Sequence, residues 1–169
     1  MKIVILSFLL FYIGACGYAP TSKISSNVFN DKIYVEVIIN QQDPQNSIFV
    51  VDTLREVVLN KLGKTPALKS EADDTIRVEM NNLSFTPIIY DENGYVIGYK
   101  AKLELEFYVS FKDKQDESIK TTGSYDFAIS PNSVISDTAR LEAIRTASSE
   151  AFDEFISVLA IKGQQNVKY

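Results

Sequence analysis

The chain has 169 residues, a formal net charge of −5 and no histidine. Its length fits one domain that is large enough to bury its own core. The lack of histidine excludes a Ser-His-Asp triad, a Cys-His dyad and a histidine-based metal site. Cys16 is the only cysteine, which excludes an intramolecular disulfide and a thiolate zinc cluster. The acidic balance argues against general nucleic-acid binding, which needs a basic surface.

The amino-terminal segment has the pattern of a targeting sequence. Lys2 precedes an almost unbroken apolar run over residues 3–13. As a helix this run would rise about 16 Å, too little for a bilayer core of about 30 Å. It ends in Ile13-Gly14-Ala15-Cys16, which resembles a bacterial lipobox. We therefore predict a lipoprotein signal peptide over 1–15 and lipid attachment at Cys16. The alternative is an ordinary secretory signal cleaved after Ala15.

Lipid attachment at Cys16 would define the mature chain as 16–169, with a net charge of −6 once Lys2 is removed. Several acyl chains would hold it on a membrane essentially permanently. Residue 17 is Gly, whereas Asp at this position resembles an inner-membrane retention signal, so we expect the outer membrane. Residues 16–31, rich in Ser, Asn, Thr and Pro, are predicted to be an acylated tether.

The first half of the mature chain contains one helix between two predicted strands. Residues 33–39 are β-branched and apolar, as in a buried strand. A helix of about four turns follows, with Gly63 at its C′ position. Residues 75–85 alternate as a strand, except that Asn81-Asn82 breaks the parity, and a β-bulge there would keep both apolar sets on one side. Pro87 either ends regular pairing or marks a sheet edge.

The second half contains the clearest periodicity. After a turn over residues 91–94, residues 97–112 alternate apolar and polar side chains without a break, which predicts a long strand with one dry face. A return strand over 118–129 and a helix from Ser136 or Asp137 to Lys162-Gly163 follow. The order β-α-β-β-β-α predicts an α+β two-layer sandwich. Two helices would pack on a four-stranded, mostly antiparallel sheet, in a single domain over 32–163 with a tail over 164–169.

The sequence offers little for catalysis. No glycine loop of a phosphate-binding type is present. The carboxylate pairs Asp73-Asp74 and Asp91-Glu92 fit either solvated loops or a general acid–base or calcium role. We predict no catalytic residue, no metal site and no cofactor.

Four lysines are candidate contacts for an anionic glycolipid. Lys100 and Lys102 lie next to each other on the polar face of the long strand, and Glu104 follows them. Lys112 and Lys120 could extend this cationic patch across the hairpin, together with Lys114. The alternative is a solvated face on which the lysines pair with carboxylates of neighbouring strands.

Several short motifs follow one another along the chain, namely Cys16-Gly17-Tyr18-x-Pro20, Ile33-Tyr34-Val35, Ala72-Asp73, Pro87 with Tyr90, Tyr99, Gly123-x-Tyr125 and Ala139-Arg140-x-x-Ala143. Their order resembles the LptE family of lipopolysaccharide-assembly lipoproteins, in a divergent form of the epsilon-proteobacterial kind. The motifs span nearly all of 16–161. The chain departs from the family at Asn40-Gln41-Gln42, where the usual pattern is Asn-x-Thr.

This resemblance implies a non-catalytic role and a fold of two helices on a four-stranded sheet. A member of the family would plug the outer-membrane β-barrel LptD, assist its assembly and contact lipopolysaccharide on its way to the cell surface. The domain would lie within or beneath the barrel on the periplasmic side. The alternative is a free-standing outer-membrane lipoprotein adaptor, such as a barrel-assembly or transporter auxiliary subunit. An envelope hydrolase is a third reading, opposed by the missing histidine and nucleophile elbow.

Overall fold

A computed structural model describes residues 28–38, 44–60, 62–131 and 133–165. Its elements, in chain order, are β1 (Lys32–Ile38), α1 (Pro44–Asn60), β2 (Thr65–Pro66), β3 (Asp74–Tyr90), β4 (Val96–Ser110), β5 (Glu117–Ala128) and α2 (Asp137–Gln165). The predicted signal peptide, Cys16 and residues 166–169 lie outside the described residues. The helix α2 continues two residues beyond its predicted end at Gly163.

The sheet has the strand order β2-β1-β3-β4-β5. The strands β2, β1 and β3 are parallel, whereas β3, β4 and β5 are antiparallel. Both helices cover one face: α2 packs on β4 and β5, and α1 packs on α2, β1 and β2. We call the end where β1 and β3 begin the base, and the end with the β3–β4 turn the distal end. The predicted α+β class is confirmed.

The alternation along β4 is confirmed by burial. Its residues from Ala101 to Val109 at odd positions are buried, and those at even positions are partly or fully exposed. The buried positions face the aromatic side chains of α2, because Phe107 stacks on Phe155 at 4.1 Å between ring centroids and meets Phe152 edge-on at 5.2 Å. These rings form the centre of the core, which comprises chiefly Ile33, Val50, Ile76, Val78, Leu103, Leu105, Phe107, Phe152 and Phe155.

The predicted β-bulge is confirmed. The register between β3 and β4 shifts between Met80 and Asn82, so that Met80 pairs with Leu105 and Leu83 pairs with Leu103. Apolar side chains on both sides of the bulge therefore lie on the dry face, although their sequence parity differs.

Pro87 marks an edge and does not end the strand. The ladder continues through the Pro87–Tyr99 pair to Tyr90, with further register shifts after Pro87. The strand β1 pairs with β3 only as far as Ile38 and Glu79. Among the described residues, the outer part of β3 therefore has β4 as its only neighbour, and a proline is tolerated at such an edge.

A flat flank of α2 approaches β5 very closely. The helix begins with Ser136 as its N-cap, whose hydroxyl accepts a hydrogen bond from the Ala139 N–H at 3.2 Å. Ala147 and Ala151 lie on the flank that faces Gly123, where an added Cβ would come within 1.7 Å of the Ala147 carbonyl oxygen. Only glycine therefore fits at position 123 with the helix in its present place.

The predicted count of four strands is wrong by one. Residues 65 and 66, for which the sequence predicts no strand, form β2. The Thr65 N–H bonds to the Asp31 carbonyl at 3.0 Å and the Ala67 N–H to the Ile33 carbonyl at 2.8 Å. A strand of two residues that contains a proline shows no periodicity in the sequence. It can be recognised only from its backbone pairing with β1 in the structure. The sheet is mixed: the short pairings of β1 with β2 and β3 are parallel, whereas the long pairings of β4 with β3 and β5 are antiparallel, as predicted for most of the sheet.

The end of the predicted tether packs into the domain. Val28 and Phe29 are buried in the core. Asp74, which the sequence suggested to be in a solvated loop, is buried instead and accepts hydrogen bonds from the Asn30 N–H at 2.6 Å, the Asn30 side-chain amide at 3.1 Å and the Lys112 N–H at 3.2 Å. This carboxylate therefore fixes the amino-terminal segment to the base of the sheet, and it acts as a structural acceptor.

The close contact at Gly123 predicts that Gly123→Ala destabilises the domain. The new methyl group would force α2 away from β5, and overpacking of this kind costs about 1–3 kcal/mol. Urea unfolding should therefore show a lower midpoint than in the wild type. Thr122→Ala, on the exposed side of the same strand, is the control and should have a smaller effect. An unchanged midpoint for Gly123→Ala would contradict the close approach of the helix.

Candidate functional site

The polar face of the sheet carries charges that are paired within the sheet. Lys100 lies 3.3 Å from Asp126 on β5, and Lys102 lies 2.8 Å from Glu104 on its own strand. Lys120 is 3.5 Å from a carboxylate oxygen of Glu106, opposite it in the β4–β5 register. The Lys100 and Lys102 pairs are exposed on both sides, and exposed ion pairs contribute about 0–1 kcal/mol, so an anionic ligand can compete for these two ammonium groups.

The predicted lysine patch is not a single cluster. Lys112 lies at the base, 2.7 Å from Asp73, and its partner raises the pKa of its ammonium group. It is twelve residues along the chain from Lys100, which corresponds to about 40 Å of strand. Lys114 also lies at the base, where its ammonium group donates to the Val28 carbonyl at 2.8 Å. Only Lys100 and Lys102 share the distal half of the sheet.

Glu106 is the centre of a hydrogen-bond network on the polar face. Its carboxylate accepts from the Ser118 hydroxyl at 2.9 Å and from the Asn81 amide at 3.2 Å. These two hydrogen bonds lower the pKa of Glu106, and the bond from Ser118 has the larger effect. The positive charge of Lys120 lowers this pKa further. The neighbouring Tyr108 has a raised pKa, chiefly because it is partly desolvated. The network stabilises the sheet and carries no sign of catalysis.

Four aromatic rings form a second surface on the dry face at the distal end. Phe127 contacts Phe85 at 6.3 Å, Tyr99 at 6.1 Å and Tyr125 at 6.2 Å between ring centroids. All four side chains are only half-buried, and none belongs to the core cluster. We call Phe85, Tyr99, Tyr125 and Phe127 the distal aromatic cluster. The rings remain accessible because only the first turns of α2 reach this end of the sheet.

Arg140, in the first turn of α2, lies over this cluster. Its guanidinium carbon is 5.3 Å from the centre of the Phe85 ring. The side chain is exposed, and no carboxylate within the described part of the chain pairs with it. A planar guanidinium group over an aromatic ring can still offer two parallel N–H bonds to a phosphate.

The β3–β4 turn beside the cluster exposes further apolar side chains. Asp91 orders this turn, because its carboxylate accepts from the Asn93 and Tyr95 N–H groups at 2.9 and 2.8 Å. Asp91 of the acidic pair Asp91-Glu92 therefore has a structural role in the turn. The exposed apolar residues at this end, including the loop before α2, are Ile88, Ile89, Tyr90, Tyr95 and Val134. A concentration of exposed apolar side chains at one end is typical of an interaction site.

The sequence did not single out this surface. Tyrosine is abundant in the chain, and nothing in the alternation distinguishes a ring covered by α2 from one beyond its reach. The available signal is the position of the rings along the strands. They alternate with the polar residues of β3, β4 and β5 on the apolar face, but they lie nearer to the β3–β4 turn than the residues opposite the helix. Arg140 was noted only as part of a family motif.

Comparison with known families decides the identity of the domain. Residues 31–159 match the model of the family described as LptE, lipopolysaccharide-assembly. The chain belongs to the LptE family. The matched region contains every described strand and most of α2, so the match covers both the polar face and the distal aromatic cluster. The family is a non-catalytic family of envelope lipoproteins that assemble lipopolysaccharide.

Solved structures with the same fold include several lipoproteins. Rare lipoprotein B from Shewanella oneidensis superposes with a TM-score of 0.52 at 16% identity, over 82% of this chain and 99% of that one. A putative lipoprotein from Caulobacter crescentus gives a TM-score of 0.54 at 10% identity, over 85% and 98%. Protein XCC0632 from Xanthomonas campestris gives 0.53 at 12% identity, over 83% and 89%. No curated protein matches the sequence. At such identities the structures establish the fold alone.

Two further features of the described residues bear on the site. Within them, no helix is both long and apolar enough to cross a membrane. They also contain no group of three or more acidic, histidine or cysteine side chains placed to bind a metal ion.

The lowered pKa of Glu106 predicts a pH-dependent contribution to stability. A depressed pKa means that the carboxylate stabilises the fold above its ordinary pKa of about 4.3, and that this contribution is lost as the pH falls further. Glu106→Gln should therefore show a shallower loss of stability between pH 5 and 3 in urea unfolding. Glu104→Gln, which loses one exposed ion pair, is the matched control. If both variants lose stability as steeply as the wild type, Glu106 has no such role.

Proposed function

We propose that this chain is an outer-membrane lipoprotein subunit of the lipopolysaccharide translocon. It is acylated at Cys16, plugs an LptD-like β-barrel, assists the assembly of that barrel and contacts lipopolysaccharide during insertion at the cell surface. It has no enzymatic activity. The match to the LptE family over residues 31–159 carries this proposal.

The dimensions and polarity of the sheet support a plug. The 15 residues of β4 extend for about 50 Å, which exceeds the apolar band of about 25 Å in an outer-membrane barrel. The polar face presents charges whose partners lie within the sheet, and it therefore suits the polar, water-filled interior of a barrel. The domain is long enough to span the barrel and keep its base on the periplasmic side.

The distal end supports a contact with lipopolysaccharide. A glycolipid of this class presents phosphates beside acyl chains. Arg140 offers a guanidinium group without a carboxylate partner among the described residues, and the distal aromatic cluster offers an apolar surface beside it. We therefore assign the primary phosphate contact to Arg140. Lys100 and Lys102, on the opposite face of the same end, are secondary candidates, and Lys120 and Lys112 are further candidates that lie nearer to the base.

The partner is tested by purifying the acylated protein from outer membranes in mild detergent and identifying the chains that copurify by mass spectrometry. The expected result is a large β-barrel at one-to-one stoichiometry. Labelling with palmitate, lost in Cys16→Ser, tests the lipid site separately. A protein recovered alone, or with a different envelope complex, would favour the free-standing adaptor.

The lipopolysaccharide contact is tested by Arg140→Ala in the full acylated chain. A charge-assisted bond to a phosphate contributes about 1.5–3 kcal/mol, so affinity for lipopolysaccharide should fall about tenfold or more. Arg145→Ala is the matched control, because Arg145 is an exposed arginine on the same helix. The double reversal Lys100→Glu and Lys102→Glu should have a weaker effect. A large loss in the double reversal with none in Arg140→Ala would move the contact to the polar face.

A further inference from the structure

Along the outer edge of β5, backbone N–H groups donate hydrogen bonds to side chains of α2 and are therefore not available to another strand. The Thr122 N–H donates to the Glu154 carboxylate at 2.8 Å, and the Ser124 N–H donates to the Glu150 carboxylate at 2.6 Å. The Ser124 hydroxyl adds a longer contact to Glu150 at 3.4 Å. Edge donors of this kind are otherwise the groups that pair with an added strand.

The two long edges of the sheet are protected in different ways. The outer part of β3 contains a β-bulge, Pro87 and further register shifts, all of which are permanent features of the backbone. The strand β5 pairs with β4 along its length without a register shift, and it contains no proline. Its central donors are occupied only by Glu150 and Glu154, whose exposed side chains can rotate away. The protection of β5 is therefore reversible.

We propose that the outer edge of β5 is a docking edge for an extended segment of another protein, and that Glu150 and Glu154 keep it closed in the free protein. The incoming strand replaces the two carboxylates as acceptor for the Thr122 and Ser124 N–H groups. The N–H groups of Thr122 and Ser124 can bond either to the two carboxylates or to an added strand, so the closed state and the strand-bound state exclude each other. This proposal is independent of lipopolysaccharide binding.

The charges on β5 define the chemistry of the segment. Lys120 and Asp126 lie on the polar face, six residues apart, and continue the charge pairs of β4, because Lys120 faces Glu106 and Asp126 faces Lys100. An antiparallel segment fits if it places an acidic residue opposite Lys120 and a basic residue opposite Asp126. A second strand with the sequence of β5 meets this requirement. If the two strands pair antiparallel with Gly123 opposite Gly123, Asp126 of each strand faces Lys120 of the other.

A second intact copy of the chain does not fit this edge. Paired strands lie about 4.8 Å apart, whereas packed helices need about 8–10 Å between their axes. The helix α2 packs directly over β5 at Gly123, so two copies joined through β5 would bring their α2 helices into collision. The proposed segment is therefore an extended stretch that carries no covering helix.

The test uses the full chain and a labelled peptide with the sequence of residues 117–128. The peptide is expected to bind Glu150→Ala/Glu154→Ala about tenfold more tightly than the wild type, measured by fluorescence anisotropy. Glu150→Gln/Glu154→Gln is the matched control, because it removes the same charges but keeps two acceptors, and it should bind like the wild type. A peptide with Lys120 and Asp126 exchanged should lose affinity, since like charges would then face each other in the antiparallel register.

Hydrogen exchange of the Thr122 and Ser124 amides gives a second measurement. Exchange should accelerate in the alanine variant, slow again when peptide is added, and remain near the wild-type rate in the glutamine variant. Equal peptide affinity in wild type and alanine variant, or unchanged exchange rates, would overturn the proposal. Dimerisation of the alanine variant without peptide binding would also overturn it and make a second copy the occupant.

Discussion

Because β4 alternates without a break, the sheet has one apolar and one polar face along about 50 Å. This constraint places both helices on a single side, since only that side offers Phe107 and its apolar neighbours. The helix α2 can then approach β5 closely because Gly123 leaves room for the Ala147 backbone. The polar face remains uncovered by any described element and carries its own ion pairs.

The parts of the fold that follow from periodicity could be predicted from the sequence. The bulge at Asn81-Asn82 was predictable because a one-residue shift in parity must be absorbed somewhere in a strand with a buried face. The start of α2 was predictable from Ser136, whose hydroxyl caps the first turn. The strand β2 and the burial of Asp74 were not predictable, because both depend on partners more than thirty residues away in the chain.

The sequence left two interpretations of the lysines open, because charge on a face does not show which charges are already paired. Four lysines stood out in the sequence, yet all four have carboxylate partners in the structure. Arg140 stood out less, but it lies over Phe85 with no described carboxylate beside it. For recognition of a phosphate the second situation is more favourable, since no existing ion pair has to be broken first.

The position of the amino-terminal segment distinguishes the two ends of the sheet. Asp74 fixes Asn30 at the base, whereas the distal aromatic cluster lies at the other end of the sheet. If Cys16 carries the lipid, the twelve residues to Val28 span at most about 40 Å, which keeps the base close to the membrane. The sheet itself adds about 50 Å beyond that point. A surface at the distal end would then be held furthest from the anchor when the domain stands upright, which is the orientation that the proposed plug requires.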